Sequence, residues 1–214
     1  MIVTDIKPQK KGKRSLNLFL DGEFAVALSP KAFEEFGIHI GQELSQTEFE
    51  KLKNFEQAQQ ALERARRYLA ARPRSEMEVR MRLQRYGYGE EIISLTIDRL
   101  RESGLVDDAA FADFWKQNRR EFNPRSTRMM ARELKQKGVS QEMATVAVEG
   151  IDDEDEAYRA GYRKAHSLSA ANYSEFRRKL GAFLYRRGFD YGVINSTVER
   201  LWKEKLCEVE NGTE

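Results

Sequence analysis

The stretch PRSEMEVRMRLQRYG at residues 73–87 returns in altered form as PRSTRMMARELKQKG at residues 124–138. Pro-Arg-Ser opens both stretches, Gly87 and Gly138 close them, and 51 residues separate the two. A third glycine, Gly188 in Arg186-Arg187-Gly188-Phe189, follows 50 residues after Gly138. Apolar positions keep the same step: Val79, Met130 and Leu180; Leu83, Leu134 and Leu184; Ile97, Val148 and Val198. A period shared by several apolar positions marks one structural unit used three times. Repeated units stack side by side and present a long common surface, which suits an elongated partner.

Working outward, residues from 45 onward carry helical signals. Ser45 and Glu48, and Ser75 and Glu78, have capping-box spacing, in which side chains satisfy the free amides of a first turn. The pattern predicts helices over 47–72 (one helix or two), 75–86, 90–103, 107–122, 126–137, 140–149, 154–167, 174–187 and 191–205. The first 50 residues differ. Leu16, Leu18 and Leu20 alternate up to Asp21-Gly22, and Phe24, Val26 and Leu28 alternate after it, a strong hairpin signal. Ile2 to Ile6 offers an edge strand, and Ser29-Pro30 opens a short helix ending at Gly37. The expected fold is therefore mainly α: three tandem three-helix, helix-turn-helix-like repeats preceded by a small N-terminal β-hairpin module. The boundaries are 1–50 for the module, 51–106, 107–152 and 153–206 for the repeats, and 207–214 for a C-terminal tail. A module of 50 residues is too small to hold a large core alone, so it should lean on the helical segment after it.

Composition narrows the function. Charged residues make up 34% of the 214-residue chain while the net charge is only +2, so the charges must be unevenly placed to matter. They alternate: basic over 57–138, acidic over 139–171, basic over 172–206. Basic blocks suit polyanions or acidic protein surfaces. Cys207 is the only cysteine, which excludes an intrachain disulfide and suits a reducing compartment. The sequence has neither an 18-residue apolar run nor a signal-peptide pattern at its N-terminus, so no membrane partner and a cytoplasmic location are expected.

Catalytic patterns are missing. His39 and His166 have no cysteine partners for a zinc site, and no phosphate-cradling glycine loop or nucleophile elbow occurs. Asp107 and Asp108 are adjacent, so on a helix they diverge rather than face one another; Asp107 fits an N-cap. Asp152 to Glu156 lacks the spacing of a calcium loop and fits a solvated linker that starts the next helix. No metal, no cofactor and no enzymatic activity are expected.

The basic residues are placed with more order. On a helix from Ser126, Arg125, Arg128, Arg132 and Lys135 fall within about 80° of one another, opposite Met130 and Leu134. In the preceding unit Arg74, Arg82 and Arg85 oppose Val79, Leu83 and Tyr86, and before them Arg64 and Arg67 oppose Leu62 and Leu69. An amphipathic helix always has a polar face. The excess of arginine over lysine, repeated in two units, points to a binding role, since guanidinium groups make forked bonds to phosphate and carboxylate. The aromatics fit a core instead: Phe111, Trp115 and Phe122 are spaced as one helical stripe, and Phe176, Leu180, Phe183 and Leu184 as another.

The run from Arg72-Pro73-Arg74-Ser75 through Leu83, Gly87, Leu100 and Gly104-Leu105-Val106-Asp107-Asp108-Ala109-Ala110-Phe111-Ala112 resembles the bacterial RecX family, and the resemblance extends through Arg119 to Glu133-Leu134-Lys135-Gln136-Lys137-Gly138-Val139. It covers roughly residues 56 to 204, and the N-terminal module resembles the extension of longer members. Ser126 stands where the family often has glycine, and the third unit keeps only the apolar frame and Arg187-Gly188-Phe189. The resemblance implies a regulator of the RecA recombinase that binds its filament on single-stranded DNA and inhibits ATP hydrolysis and strand exchange, in homologous recombination, DNA repair and the SOS response. RecA and DNA are the implied partners, and a monomer is expected. The alternative reading is an independent DNA-binding helical-repeat protein. On either reading Arg64, Arg67, Arg74, Arg82, Arg85, Arg125, Arg128, Arg132 and Lys135 line or flank the binding surface.

Overall fold

The computed structural model describes residues 1–9, 15–169 and 172–211. Three antiparallel strands, β1 (Val3–Pro8), β2 (Leu16–Leu20) and β3 (Glu23–Leu28), form a sheet in the order β1-β2-β3. Asp21 and Gly22 turn the β2–β3 hairpin with φ of 49° and 89°; positive φ at both central residues matches the twist of the flanking strands. The expected hairpin thus forms two strands of a three-stranded sheet, with the Ile2–Ile6 region supplying the third.

Among the described residues ten helices follow: α1 (Pro30–Phe36), α2 (Gln46–Leu69), α3 (Glu76–Arg85), α4 (Glu90–Glu102), α5 (Asp108–Phe122), α6 (Thr127–Gln136), α7 (Gln141–Val148), α8 (Asp153–Ser167), α9 (Tyr173–Tyr185) and α10 (Tyr191–Asn211). The chain divides into two compact units, Met1–Arg72 with Val79–Val106, and Pro73–Glu78 with Asp107–Glu214.

In the first unit α2 is one continuous helix that serves two cores. Leu52 joins Val3, Leu18 and Leu28 beneath the sheet. Further along, Ala61, Leu62 and Ala65 pack with Val79, Ile93 and Ile97. The N-terminal module leans on this helix, as its small size requires. Glu56 of α2 is buried and accepts from the Ser29 N–H and hydroxyl, both at 2.8 Å. Burying a carboxylate is costly unless it is hydrogen-bonded, and Ser29 supplies those bonds.

The second unit holds two further three-helix cores. Phe111, Ala112, Leu134 and Ala144 fill one, and Phe176, Leu180, Leu184 and Val198 fill the other. Helices α5 to α9 start on side-chain caps: Asp107, Ser126, Ser140, Asp152 and Asn172 each accept a first-turn N–H. Gly188 has φ +88°, and a Cβ there would lie 2.7 Å from Ser126 Oγ and 2.9 Å from Met129 Cβ. The glycine is needed both for the left-handed turn and for this approach.

Two expectations change. Phe122 is 70% exposed; it is the last residue of α5, one turn beyond the stripe that Phe111 leads, and no helix of the unit covers it. Glu156, assigned to a solvated linker, is fully buried and bonds Arg120 Nε at 2.7 Å and Arg159 Nη1 at 3.3 Å. The acidic run opens α8, so helical rotation turns its last member into the fold.

Candidate binding surfaces

Helical spacing (i, i+3, i+4) groups Arg64, Arg67 and Tyr68 on α2, at the edge of the face where Ala61 and Ala65 are buried. In the same unit α3 supplies Arg82, and Tyr86 follows it. Arg64, Arg67, Arg82, Tyr68 and Tyr86 line a cavity of about 430 Å³. The Arg64 guanidinium lies 4.5 Å from the Tyr86 ring centre, and that of Arg82 lies 5.0 Å from Tyr86 and 5.4 Å from Tyr68. Arg82 Nη2 donates to Tyr86 Oη at 3.0 Å, and Arg67 Nε to the Glu63 carbonyl at 3.3 Å. Tyrosine faces orient the guanidinium planes without neutralising them. Among the described residues no carboxylate pairs with Arg64, Arg67 or Arg82, and Arg82 Nε is buried without an acceptor. Guanidinium groups left without a carboxylate can take carboxylate or phosphate oxygens. Nearby, burial raises the Tyr88 phenol above its usual range, against the opposing pull of Arg64. Arg85 is exposed at the end of α3.

The residues from the second stretch separate. Helix α6 begins at Thr127 behind an extended N-cap at Ser126, with φ −61° and ψ 153°. Arg125 therefore precedes the helix and does not share its phase, and Arg74 likewise precedes α3. Arg125 Nη1 instead binds Glu133 Oε1 at 2.6 Å. Glu133 Oε2 accepts from Arg119 Nε at 2.7 Å and Trp115 Nε1 at 2.9 Å. Lys137 lies 4.2 Å and Arg119 4.4 Å from the Trp115 ring centre. Glu133 thus holds Arg125, which sequence reading assigned to a polar face, together with Arg119, which it did not assign; the one available signal was the i, i+4 spacing of Trp115 and Arg119. Arg128 Nη2 donates to the Gly188 carbonyl at 3.1 Å and lies 3.4 Å from Asp190. Arg132 and Lys135 remain exposed on α6.

Among the described residues no cluster of three or more His, Cys, Asp or Glu could hold a metal, and no helix is long and apolar enough to cross a membrane. The three-helix units bury their apolar sides and leave arginines at the surface, the architecture of a helical-repeat protein.

Comparison with known proteins gives the family. Models described as the RecX first, second and third three-helix domains match residues 61–100, 107–148 and 152–198, and the regulatory protein RecX N-terminal domain matches 1–45. A regulatory protein RecX of Lactobacillus johnsonii is 33% identical over 204 residues, covering 94% of this chain and 74% of that protein. One from Chlorobium limicola is 36% identical over 139 residues, covering 65% of this chain and 87% of that protein. The fold is that of a solved regulatory protein RecX, with a TM-score of 0.67 at 20% identity over 92% of this chain and 98% of the other. The RecX from Lactobacillus salivarius gives 0.58 at 21% identity over 68% and 96%. This chain belongs to the RecX family of regulatory proteins.

Proposed function

We propose that this chain binds the RecA recombinase as its filament on single-stranded DNA and inhibits ATP hydrolysis and strand exchange, acting in the cytoplasm as a non-enzymatic regulator of homologous recombination and DNA repair. Membership of a family of regulatory proteins supports a regulatory role. The observation that carries the binding mode is the Arg64–Arg67–Arg82 cavity, in which the Arg64 and Arg82 guanidinium groups are held on Tyr86 and Tyr68 and no carboxylate among the described residues neutralises the three cations. A protein filament on DNA presents both carboxylates and phosphates, the two anions such a cavity accepts. Arg74, Arg85, Arg125, Arg128, Arg132 and Lys135 are the other residues assigned to binding, and of these Arg85, Arg128, Arg132 and Lys135 are exposed.

The test is single-stranded-DNA-dependent ATP hydrolysis by the cognate RecA with this protein titrated below stoichiometry. Loss of hydrolysis at low ratios is expected; full hydrolysis at an equimolar ratio overturns the reading.

A further inference from the structure

Arg64, Arg67 and Arg82 put three positive charges around one space of about 430 Å³ in the first unit. Tyr68, Ala71 and Tyr86 complete the lining, so no acid shares the space among the described residues. Glu63, the acid beside Arg64 on α2, is engaged elsewhere: Arg66 Nη1 lies 3.6 Å from its Oε1. The sequence hides this concentration, because Glu63, Arg64, Arg66 and Arg67 read as one mixed run until the fold turns Arg66 to the acid and brings Arg82 of α3 to the other two.

The donors around the space are only partly used. Among the described residues Arg64 makes no hydrogen bond; its guanidinium lies 4.5 Å from the Tyr86 ring centre and 5.9 Å from that of Tyr88. Arg67 spends Nε on the Glu63 carbonyl and keeps both terminal nitrogens. Arg82 spends Nη2 on Tyr86 Oη, while its buried Nε has no acceptor. Arg64 and Arg82 both lie on Tyr86, so one ring sets their spacing. Stacking on tyrosine orients a guanidinium but leaves its charge in place, and like charges held close together repel. An anion with more than one charge relieves that repulsion best.

The charge count separates the candidate ligands. Off the filament, one carboxylate or one phosphodiester carries a single charge and pairs one guanidinium, leaving the others as they were. Two linked phosphoryl groups carry several charges on neighbouring oxygens, and each can take a guanidinium fork. The volume also lies in the range of small-molecule sites, about 300–1,000 Å³. The rings of Tyr86 and Tyr68 are already covered by Arg64 and Arg82, so the cavity addresses the phosphoryl groups rather than a stacked base.

We infer that this cavity binds the diphosphate group of a free small molecule, pyrophosphate or a nucleoside diphosphate, with its oxygens on Arg64, Arg67 and Arg82. The inference stands beside the filament reading, which gives the same guanidinium groups a different partner, and does not rest on it.

The experiment is isothermal titration calorimetry of the full chain with sodium pyrophosphate, orthophosphate, ADP or polyglutamate at one fixed ionic strength, without recombinase, nucleic acid or divalent cation. Pyrophosphate should bind about tenfold or more tightly than orthophosphate, because its second phosphoryl group reaches a further guanidinium. ADP at least as tight as pyrophosphate assigns the site to nucleoside diphosphates, and weaker ADP assigns it to free pyrophosphate. Arg64→Gln should weaken pyrophosphate binding about tenfold or more. Arg82→Lys should do the same although it keeps the charge, because an ammonium group has no planar fork. Arg132→Gln on α6 should leave the affinity unchanged. Arg64 is exposed, so Arg64→Gln should keep the wild-type melting curve and remains decisive if Arg82→Lys unfolds. No saturable pyrophosphate binding by wild type, unchanged affinity in Arg64→Gln, or orthophosphate bound as tightly as pyrophosphate overturns the proposal. Polyglutamate bound more tightly than pyrophosphate also overturns it and gives the cavity to acidic protein segments. Because the titration contains no RecA, its failure leaves the inhibition reading standing, and full hydrolysis in the recombinase assay leaves this one standing.

Discussion

The backbone N–H of Thr127 donates to Asp153 Oδ1 at 2.8 Å, linking the start of α6 to the first residue of α8. An equivalent bond occurs at the preceding junction, where the Glu76 N–H donates to Asp108 Oδ1 at 2.9 Å. Each adjacent acid pair divides its labour. Asp107 and Asp152 cap their own helices through the Ala109 and Glu154 N–H groups, at 2.8 and 2.9 Å. The second acid reaches back to an amide of the preceding repeat. The repeat period therefore preserves a junction as well as a core.

Removing that acceptor should weaken the junction. Asp153→Ala leaves the Thr127 N–H without its partner and should lower the stability of the second unit by about 1–2 kcal/mol. Asp155→Ala, an exposed first-turn acid of the same helix, should cost less, about 0.3–1 kcal/mol. Urea denaturation of both variants followed by far-ultraviolet circular dichroism makes the comparison.

Glu133→Gln should be more damaging than any surface change on α6. It leaves Arg119 and Arg125 without their carboxylate, at an expected cost of about 2–3 kcal/mol. Trp115 loses the charge on its indole acceptor, so its emission should shift along with the unfolding midpoint. A midpoint within experimental error of wild type would mean that Glu133 does not organise this cluster.

Charge reversal at Arg125 would test folding as much as binding, because Glu133 uses that guanidinium. Arg132→Glu with Lys135→Glu is the informative pair on α6, and Arg64→Gln with Arg82→Gln is its counterpart in the first unit. Both should weaken inhibition of RecA ATP hydrolysis about tenfold or more, while stability changes stay within about 1 kcal/mol. Arg82→Lys should not restore inhibition, since an ammonium group cannot reproduce a planar fork. Unchanged inhibition by either double variant removes that patch from the binding surface.

Glu48 should give α2 a pH-dependent start. It accepts the Ser45 N–H at 2.8 Å and the Ser45 hydroxyl at 2.7 Å, and these bonds, the backbone one foremost, hold its carboxyl below the usual range. A carboxylate with a depressed folded pKa contributes stability that is complete above its unfolded value, about 4.3, and is lost as pH falls through the lower folded value. Glu48→Gln should therefore melt below wild type at neutral pH, and the gap should close as both are acidified toward about pH 3. A gap that stays constant over that range would show that the charge contributes nothing.

The sequence by itself determined what is local. The caps at Ser45, Ser75, Asp107 and Ser126, the Asp21-Gly22 hairpin, the glycine turns at 87, 138 and 188 and the inward positions of Leu83, Leu134 and Leu184 are all present. Each depends on backbone geometry within a few residues, or on a helical period that fixes which side chains share a face. The tertiary structure decided what each polar face meets. Arg125 turns to Glu133, Arg128 to Gly188 and Asp190, and Glu156 inward to Arg120, whereas Phe122 turns out to solvent. Helix phase gives a side chain its direction but does not say whether another helix stands there. Partners as distant in sequence as Arg128 and Asp190, or Arg120 and Glu156, become neighbours only when the cores close.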